Sequence, residues 1–119
     1  MKPARFSGSS RPELSDEPLH SMNLQPDFDL SARNTMGLAS TAAFGGLVAS
    51  ADAIPAMVEA ARGRNLPLHV LGGGSNVILQ DHVPAVVAVM DIRHRAVGQG
   101  DAGATLVEVG AGETWHDIV

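Results

Sequence analysis

The stretch "LHVLGGGSNVIL", Leu68 to Leu79, sets three consecutive glycines and a Ser-Asn pair between two short apolar runs. Glycine has no Cβ, so a main chain built from it takes positive φ at little cost and lets successive N–H groups converge on an anion. The run leading in, "PLHVL" at residues 67 to 71, has the length and apolar content of a strand. In open α/β sheets ligands sit beyond the carboxyl ends of the strands, which is where Gly72, Gly73, Gly74, Ser75 and Asn76 fall. That position favours a phosphate or pyrophosphate, with Ser75 and Asn76 adding side-chain donors. A tight turn between strands, with no ligand, is the other account of the same residues.

Upstream, "TAAFGGLVAS" at residues 41 to 50 is apolar enough for a buried strand, with Gly45 and Gly46 marking a weak point or a close backbone approach. In "DAIPAMVEAARGRN", which follows, Ile54, Met57, Val58 and Ala61 recur at helical spacing and predict an amphipathic helix. Asp52 is the expected N-cap, Pro55 falls in the first turn where its missing N–H is harmless, and Asn65 suits a left-handed C-terminal cap. Strand, helix and strand form a unit whose right-handed crossover sets the two strands parallel.

Downstream, "AVVAVMDIR" at residues 85 to 93 is apolar on both pleat faces, as a central strand is, and "TLVEVGAG" at 105 to 112 alternates as a half-buried one. The class is therefore α+β with a mixed sheet. "ETWHDIV" opens a further helix with Trp115, Ile118 and Val119 on one face. A helix nucleus that short is unfavourable in isolation, so the domain is expected to be truncated there.

The 119 residues fit one small domain with a modest core. Residues 1 to 28 are rich in Pro, Ser and charge without period, and are expected to form a disordered tail. A net charge of -5 with eight scattered Lys and Arg leaves no basic stripe for a run of phosphates, so nucleic acid is not the expected partner. With no Cys, disulfides and thiolate chemistry are excluded and a cytoplasmic setting is the expectation. No apolar run has the roughly 20 residues that a spanning helix needs, so no membrane is expected.

Other motifs carry less. There is no G-x-x-x-x-G-K-[ST], and the one lysine is Lys2, which excludes a P-loop. "GQGDAG", Gly98 to Gly103, matches G-x-G-x-x-G, but the strand-like "ATLVEV" after it denies the motif its helix, so a hairpin turn is expected. His69, His82, His94 and His116 have no ligand spacing, and no metal is expected. Glu113 and His116 could share a helix face, and Arg93 and Arg95 a strand edge; a surface pair and a solvated face are the preferred accounts.

With these residues in place, the chain from Asp29 to Val119 closely resembles the amino-terminal FAD-binding region of the bacterial UDP-N-acetylenolpyruvoylglucosamine reductases, or UDP-N-acetylmuramate dehydrogenases. "RNTMG", Arg33 to Gly37, is similar to the segment ahead of that family's first strand; "LPLHVLGGGSNVIL" to its flavin pyrophosphate loop; "VEVGAGETWHDIV" to its glycine-containing strand and following helix. "GGGSN" occurs more loosely in other flavoproteins of the vanillyl-alcohol oxidase type.

The resemblance implies the FAD-binding subdomain of the vanillyl-alcohol oxidase (PCMH-type) fold, present over residues 29–119 and incomplete. It implies FAD as cofactor, NADPH as co-substrate and a UDP-sugar as substrate, in a cytoplasmic step of peptidoglycan synthesis. Hydride would pass from NADPH to FAD and on to an enol ether, with a serine protonating the enol. Leu71, Gly72, Gly73, Gly74, Ser75, Asn76 and Val77 would surround the pyrophosphate. Gly110, Ala111 and Gly112 would be small because the flavin or adjoining backbone packs there, although a strand ending in a turn accounts for them equally. Thr35 and Met36 would brace the loop, Met36 standing where the family more often has an aromatic. The remaining flavin-binding half and the substrate domain would lie beyond Val119, so no catalytic residue is carried over and the piece is expected to be inactive alone. An FAD-dependent oxidase of the same fold, or a non-catalytic nucleotide-binding domain, are the alternatives.

Overall fold

A computed structural model describes residues 24–119. The expected tail lies outside these residues as far as position 23, but its end does not. Gln25–Asp29 is a strand, β1, paired antiparallel with β2 (Thr41–Val48) so that Phe28 lies opposite Ala42 and Gln25 opposite Gly45. The correction has one physical source. Phe28 is buried, and its ring occupies the space a side chain at Gly45 would need. This strand is specified by a cavity in its neighbour, not by any periodicity of its own.

After β2 come a 3-10 turn, Ala51–Ala53, helix α1 (Ile54–Gly63) and β3 (Leu68–Leu71); β4 (His82–Met90) follows. The main sheet has the order β1-β2-β4-β3, with β2, β4 and β3 all parallel. The expected strand-helix-strand unit is therefore present, with β4 inserted between its two strands. β4 is the central strand its composition announced. Val83, Ala85, Val87 and Val89 pack on one face with Phe28, Leu30, Ala42 and Leu71, while Val86 and Ala88 pack on the other with Val48, Met57, Ala60 and Ala61. Burial of a side chain such as Met57, 1% exposed, contributes about 1.5–3 kcal/mol. Between Ala42 and Phe44 the register slips: β4 passes from Val83 to Val86 while β2 advances by two, placing Pro84 at an irregularity where no ladder N–H is required.

Asp52 does not cap α1. The helix's N-cap position is Ala53, with no side-chain cap; Asp52 lies in the preceding 3-10 turn, which Ser50 caps, its hydroxyl accepting the Asp52 N–H at 3.2 Å, and the helix begins with Pro55 in its first turn. Asn65 does adopt the left-handed conformation, at φ 56°. The buried face is Met57, Ala60 and Ala61, with Ile54 left exposed.

β5 (Arg95–Gln99) and β6 (Thr105–Val109) form a separate two-stranded antiparallel sheet. Gly98 to Gly103 thus closes a hairpin, with Ala102 and Gly103 at positive φ, as the following strand pattern required. β6 is exposed along its length and not half-buried. A last turn of helix, α2, spans Trp115–Ile118. No helix among the described residues is long and apolar enough to cross a membrane.

Candidate functional site

The glycine loop leaves β3 at the carboxyl edge of the three parallel strands and is tied down at three points. At its middle, Gly74 presents its carbonyl to the Thr35 N–H (3.0 Å) and the Thr35 hydroxyl (3.4 Å). At its end, the buried Ser40 hydroxyl donates to the Gln80 carbonyl at 2.7 Å, and the Thr41 N–H to the Asp81 carbonyl at 2.9 Å. Gly74 has φ +76°, and a Cβ there would overlap the Arg33 carbonyl oxygen. Only glycine allows the two backbones to meet so closely.

The segment receiving the loop is itself organised by one side chain. Asn34, 7% exposed, donates from Nδ2 to the Leu30 and Leu38 carbonyls, each at 3.0 Å, and accepts the Leu38 N–H at 2.8 Å. It fixes the turn between β1 and β2 on which Arg33 and Thr35 ride.

Held this way, the loop leaves its donors open. Among the described residues, none of the amides from Gly72 to Asn76 donates to a protein acceptor. Gly74 is buried, so its unpaired N–H costs about 1–3 kcal/mol unless a ligand or water supplies an acceptor. Gly72, Gly73 and Ser75 line a cavity of about 380 Å³, toward the small end of ligand pockets. Leu47, Val89 and Met90, at the ends of β2 and β4, form its floor.

The opposite wall comes from the segment after β6. The Gly110 N–H donates to the His94 carbonyl at 2.8 Å and the Gly112 N–H to the Ile92 carbonyl at 2.9 Å, so this segment runs against the chain leaving β4. A Cβ on Gly110 would overlap the Ile92 carbonyl oxygen, and one on Gly112 would come within 2.6 Å of Asp91 Cα. Adjoining backbone therefore explains both glycines. Glu113, its side chain 9% exposed, accepts from Arg95 Nε (3.2 Å) and from a terminal guanidinium nitrogen of Arg95 (3.1 Å), pinning the wall to β5. Arg93 Nε donates to Asp91 at 3.0 Å.

Of the residues expected to hold the cofactor, Gly72, Gly73 and Ser75 of the pyrophosphate loop and Ala111 and Gly112 of the second glycine segment meet at the cavity. The others do not line it. Leu71 is a core residue, Val77 packs against the same core, Gly74 faces the Arg33 segment, Gly110 sits on Ile92, and Asn76 is exposed away from the lining. Thr35 reaches Gly74 as described, whereas Met36 is exposed and makes no part of the wall. Glu113 precedes α2 and shares no helix with His116. The residues that local pattern did not single out for the site are Arg33, Asp91, Arg93 and Trp115, all on the lining. Arg33 arrives from the β1–β2 connection, Asp91 and Arg93 from the β4–β5 connection and Trp115 from the start of α2, and the signal available for them was only their sequence distance from a strand end.

The described groups fit a dinucleotide's diphosphate: loop amides without protein acceptors among the described residues, and the arginines Arg33 and Arg93 on the lining, the second paired with Asp91. A family model described as an FAD binding domain matches residues 30–119. The chain is 41% identical over 98 residues to a UDP-N-acetylenolpyruvoylglucosamine reductase of Burkholderia lata, spanning 82% of this chain and 28% of that protein. Against the protein of the same name in Burkholderia vietnamiensis it is 40% identical over 104 residues, 87% of this chain and 29% of the other. For Polynucleobacter asymbioticus the values are 36% over 96 residues, 81% and 28%. The chain thus spans less than a third of the length of these relatives.

Proposed function

The chain belongs to the FAD-binding domain family, and from that premise we propose that its glycine loop grips the diphosphate of FAD as one part of a UDP-N-acetylenolpyruvoylglucosamine reductase. The observation that carries this reading is the row of amides from Gly72 to Asn76 that find no protein acceptor, set beside a cavity at the carboxyl edge of β2, β4 and β3. Backbone N–H groups give an anion several donors without the cost of ordering long side chains. The tethers at Thr35, Ser40 and Thr41 fix those donors before a ligand arrives.

When bound, FAD supplies the hydride chemistry, and the protein's share is to hold and orient it. Here that share falls to Gly72, Gly73 and Ser75 on one wall and Ala111 and Gly112 on the other, within residues 29–119 as the first part of a vanillyl-alcohol oxidase (PCMH-type) FAD-binding domain. NADPH as hydride donor, reduction of the enolpyruvyl group on a UDP-sugar, and a role in peptidoglycan synthesis in the cytoplasm complete the reading. They rest on the names of relatives of which the matched residues span 28% and 29%. No residue of this chain is assigned a catalytic role, and turnover is expected only together with polypeptide equivalent to the rest of those relatives.

Trp115, the only tryptophan, lies on the cavity wall, and its emission overlaps flavin absorbance. Titration with FAD should quench it saturably, and Gly73→Val should abolish the effect while leaving the circular dichroism unchanged. Unaltered quenching in Gly73→Val would reduce the loop to a turn and remove the basis of the assignment.

A further inference from the structure

The geometry points to Arg33 as the residue that selects a diphosphate-bearing ligand at this cavity, by placing a preorganised guanidinium against the charge that the glycine-loop amides receive. This rests on reading the cavity as a cofactor's diphosphate site, and assigns within it a charge partner from a different part of the chain.

Four observations converge. Arg33 lines the cavity together with Gly72, Gly73 and Ser75. Its guanidinium carbon sits 5.5 Å from the centroid of the buried Phe28 ring, a face that supports a flat cation and leaves the N–H edge of the guanidinium to other partners. Among the described residues it has no carboxylate within ion-pair distance, whereas the carboxylates on the lining are both committed, Asp91 to Arg93 and Glu113 to Arg95. Arg33 is therefore the cation left over when those pairs are taken out. Finally, its carbonyl is the atom against which Gly74 packs, and the next residue but one, Thr35, bonds that same glycine. The backbone that carries Arg33 and the loop amides thus belong to one assembly, and Phe28 supports the guanidinium, so less motion is lost when both engage an anion.

A planar guanidinium matches two phosphate oxygens at once, and a charge-assisted pair of this kind contributes far more toward a diphosphate than toward an uncharged ring system. Arg33 should then matter for FAD and for ADP, and not for riboflavin, which has the flavin ring and no phosphate.

The test uses the 119-residue chain with Arg33→Met and Arg33→Lys, titrated with FAD, ADP, riboflavin and inorganic pyrophosphate by calorimetry and Trp115 emission, with thermal unfolding monitored alongside. The expected result is a loss of roughly 10- to 100-fold in FAD and ADP affinity for Arg33→Met. Arg33→Lys should be intermediate, riboflavin unaffected, and the salt dependence of FAD binding shallower in Arg33→Met. FAD binding equal to wild type in Arg33→Met would overturn the assignment and leave the cofactor reading intact. An equal loss for riboflavin would also overturn it, since that marks a change of shape and not of charge recognition. Arg33-dependent pyrophosphate binding without any FAD binding would uphold the role of Arg33 and remove the flavin. Binding of none of the four would remove both. Should Arg33→Met unfold, Arg33→Lys decides by the same comparisons.

Discussion

The main-chain N–H of Thr35 donates to the carbonyl oxygen of Gly74 at 3.0 Å, joining the turn after β1 to the loop after β3. The contact exists because Gly74 has no side chain and a left-handed φ of +76°. Gly74→Ala meets two obstacles: a left-handed backbone that costs an L-residue about 1–2 kcal/mol, and overlap with the Arg33 carbonyl that only separation of the two backbones relieves. A total loss of about 2–4 kcal/mol is expected from the urea midpoint. Gly73 has nothing within 4 Å of its would-be Cβ and no positive φ, so Gly73→Ala should change stability by less than about 1 kcal/mol. Similar losses for both would contradict the packing described.

Asn34 is the second support of that turn. It satisfies the Leu30 and Leu38 carbonyls and the Leu38 N–H from a nearly buried position. Asn34→Asp keeps the shape but points an acceptor at two carbonyl oxygens. It should destabilise by about 2–3 kcal/mol at neutral pH, as much as or more than Asn34→Ala. If calorimetry places Asn34→Asp within about 0.5 kcal/mol of wild type, the hydrogen-bond assignment is wrong.

How much of this was legible depended on whether the cause was local. The apolar run in residues 85 to 93, the helical repeat through Met57 and Ala61, and the hairpin at Gly98 to Gly103 are set by neighbours in sequence, and each was readable. β1 was not, because its reason is the space above Gly45 in another strand. The insertion of β4 between β2 and β3 was also hidden, since sequence order does not reveal pairing order. For the site, the glycines at the strand end were plain, but Arg33 and the Asp91–Arg93 pair reach the cavity only through that pairing. Gly110 and Gly112 illustrate the converse. Their smallness was visible, and which of two packings it serves was not.

Phe28 and Gly45 supply a coupled test. Gly45→Ala places a methyl group where the Phe28 ring lies, and should cost about 1–3 kcal/mol by overpacking. Phe28→Ala should cost about 3–5 kcal/mol by leaving a void. In the double variant the methyl occupies part of that void, so the losses should fall short of additivity by about 1 kcal/mol or more. Strict additivity in denaturant melts would mean that the two residues do not touch.

The last prediction concerns acid. Asp29 Oδ1 accepts the Ser31 N–H at 2.9 Å, at the head of the 3-10 turn Ser31–Arg33. That backbone hydrogen bond, helped by the Ser31 side chain and by the positive charge of Arg33, holds the Asp29 carboxyl below its ordinary value against a small opposing effect of desolvation. The ionised form is thus favoured in the folded chain. Its contribution is fully present above the unfolded aspartate value and is lost as pH falls through the lower folded one. Replacing Asp29 with Asn removes the ionisable group while keeping an oxygen acceptor. The difference in stability between wild type and Asp29→Asn should therefore be constant from neutral pH down to the ordinary aspartate range and narrow below it. Because the same turn carries Arg33, affinity for FAD should decline over the same acidic interval in wild type more than in the variant. A stability difference that stayed level through that interval would show that Asp29 does not anchor the turn.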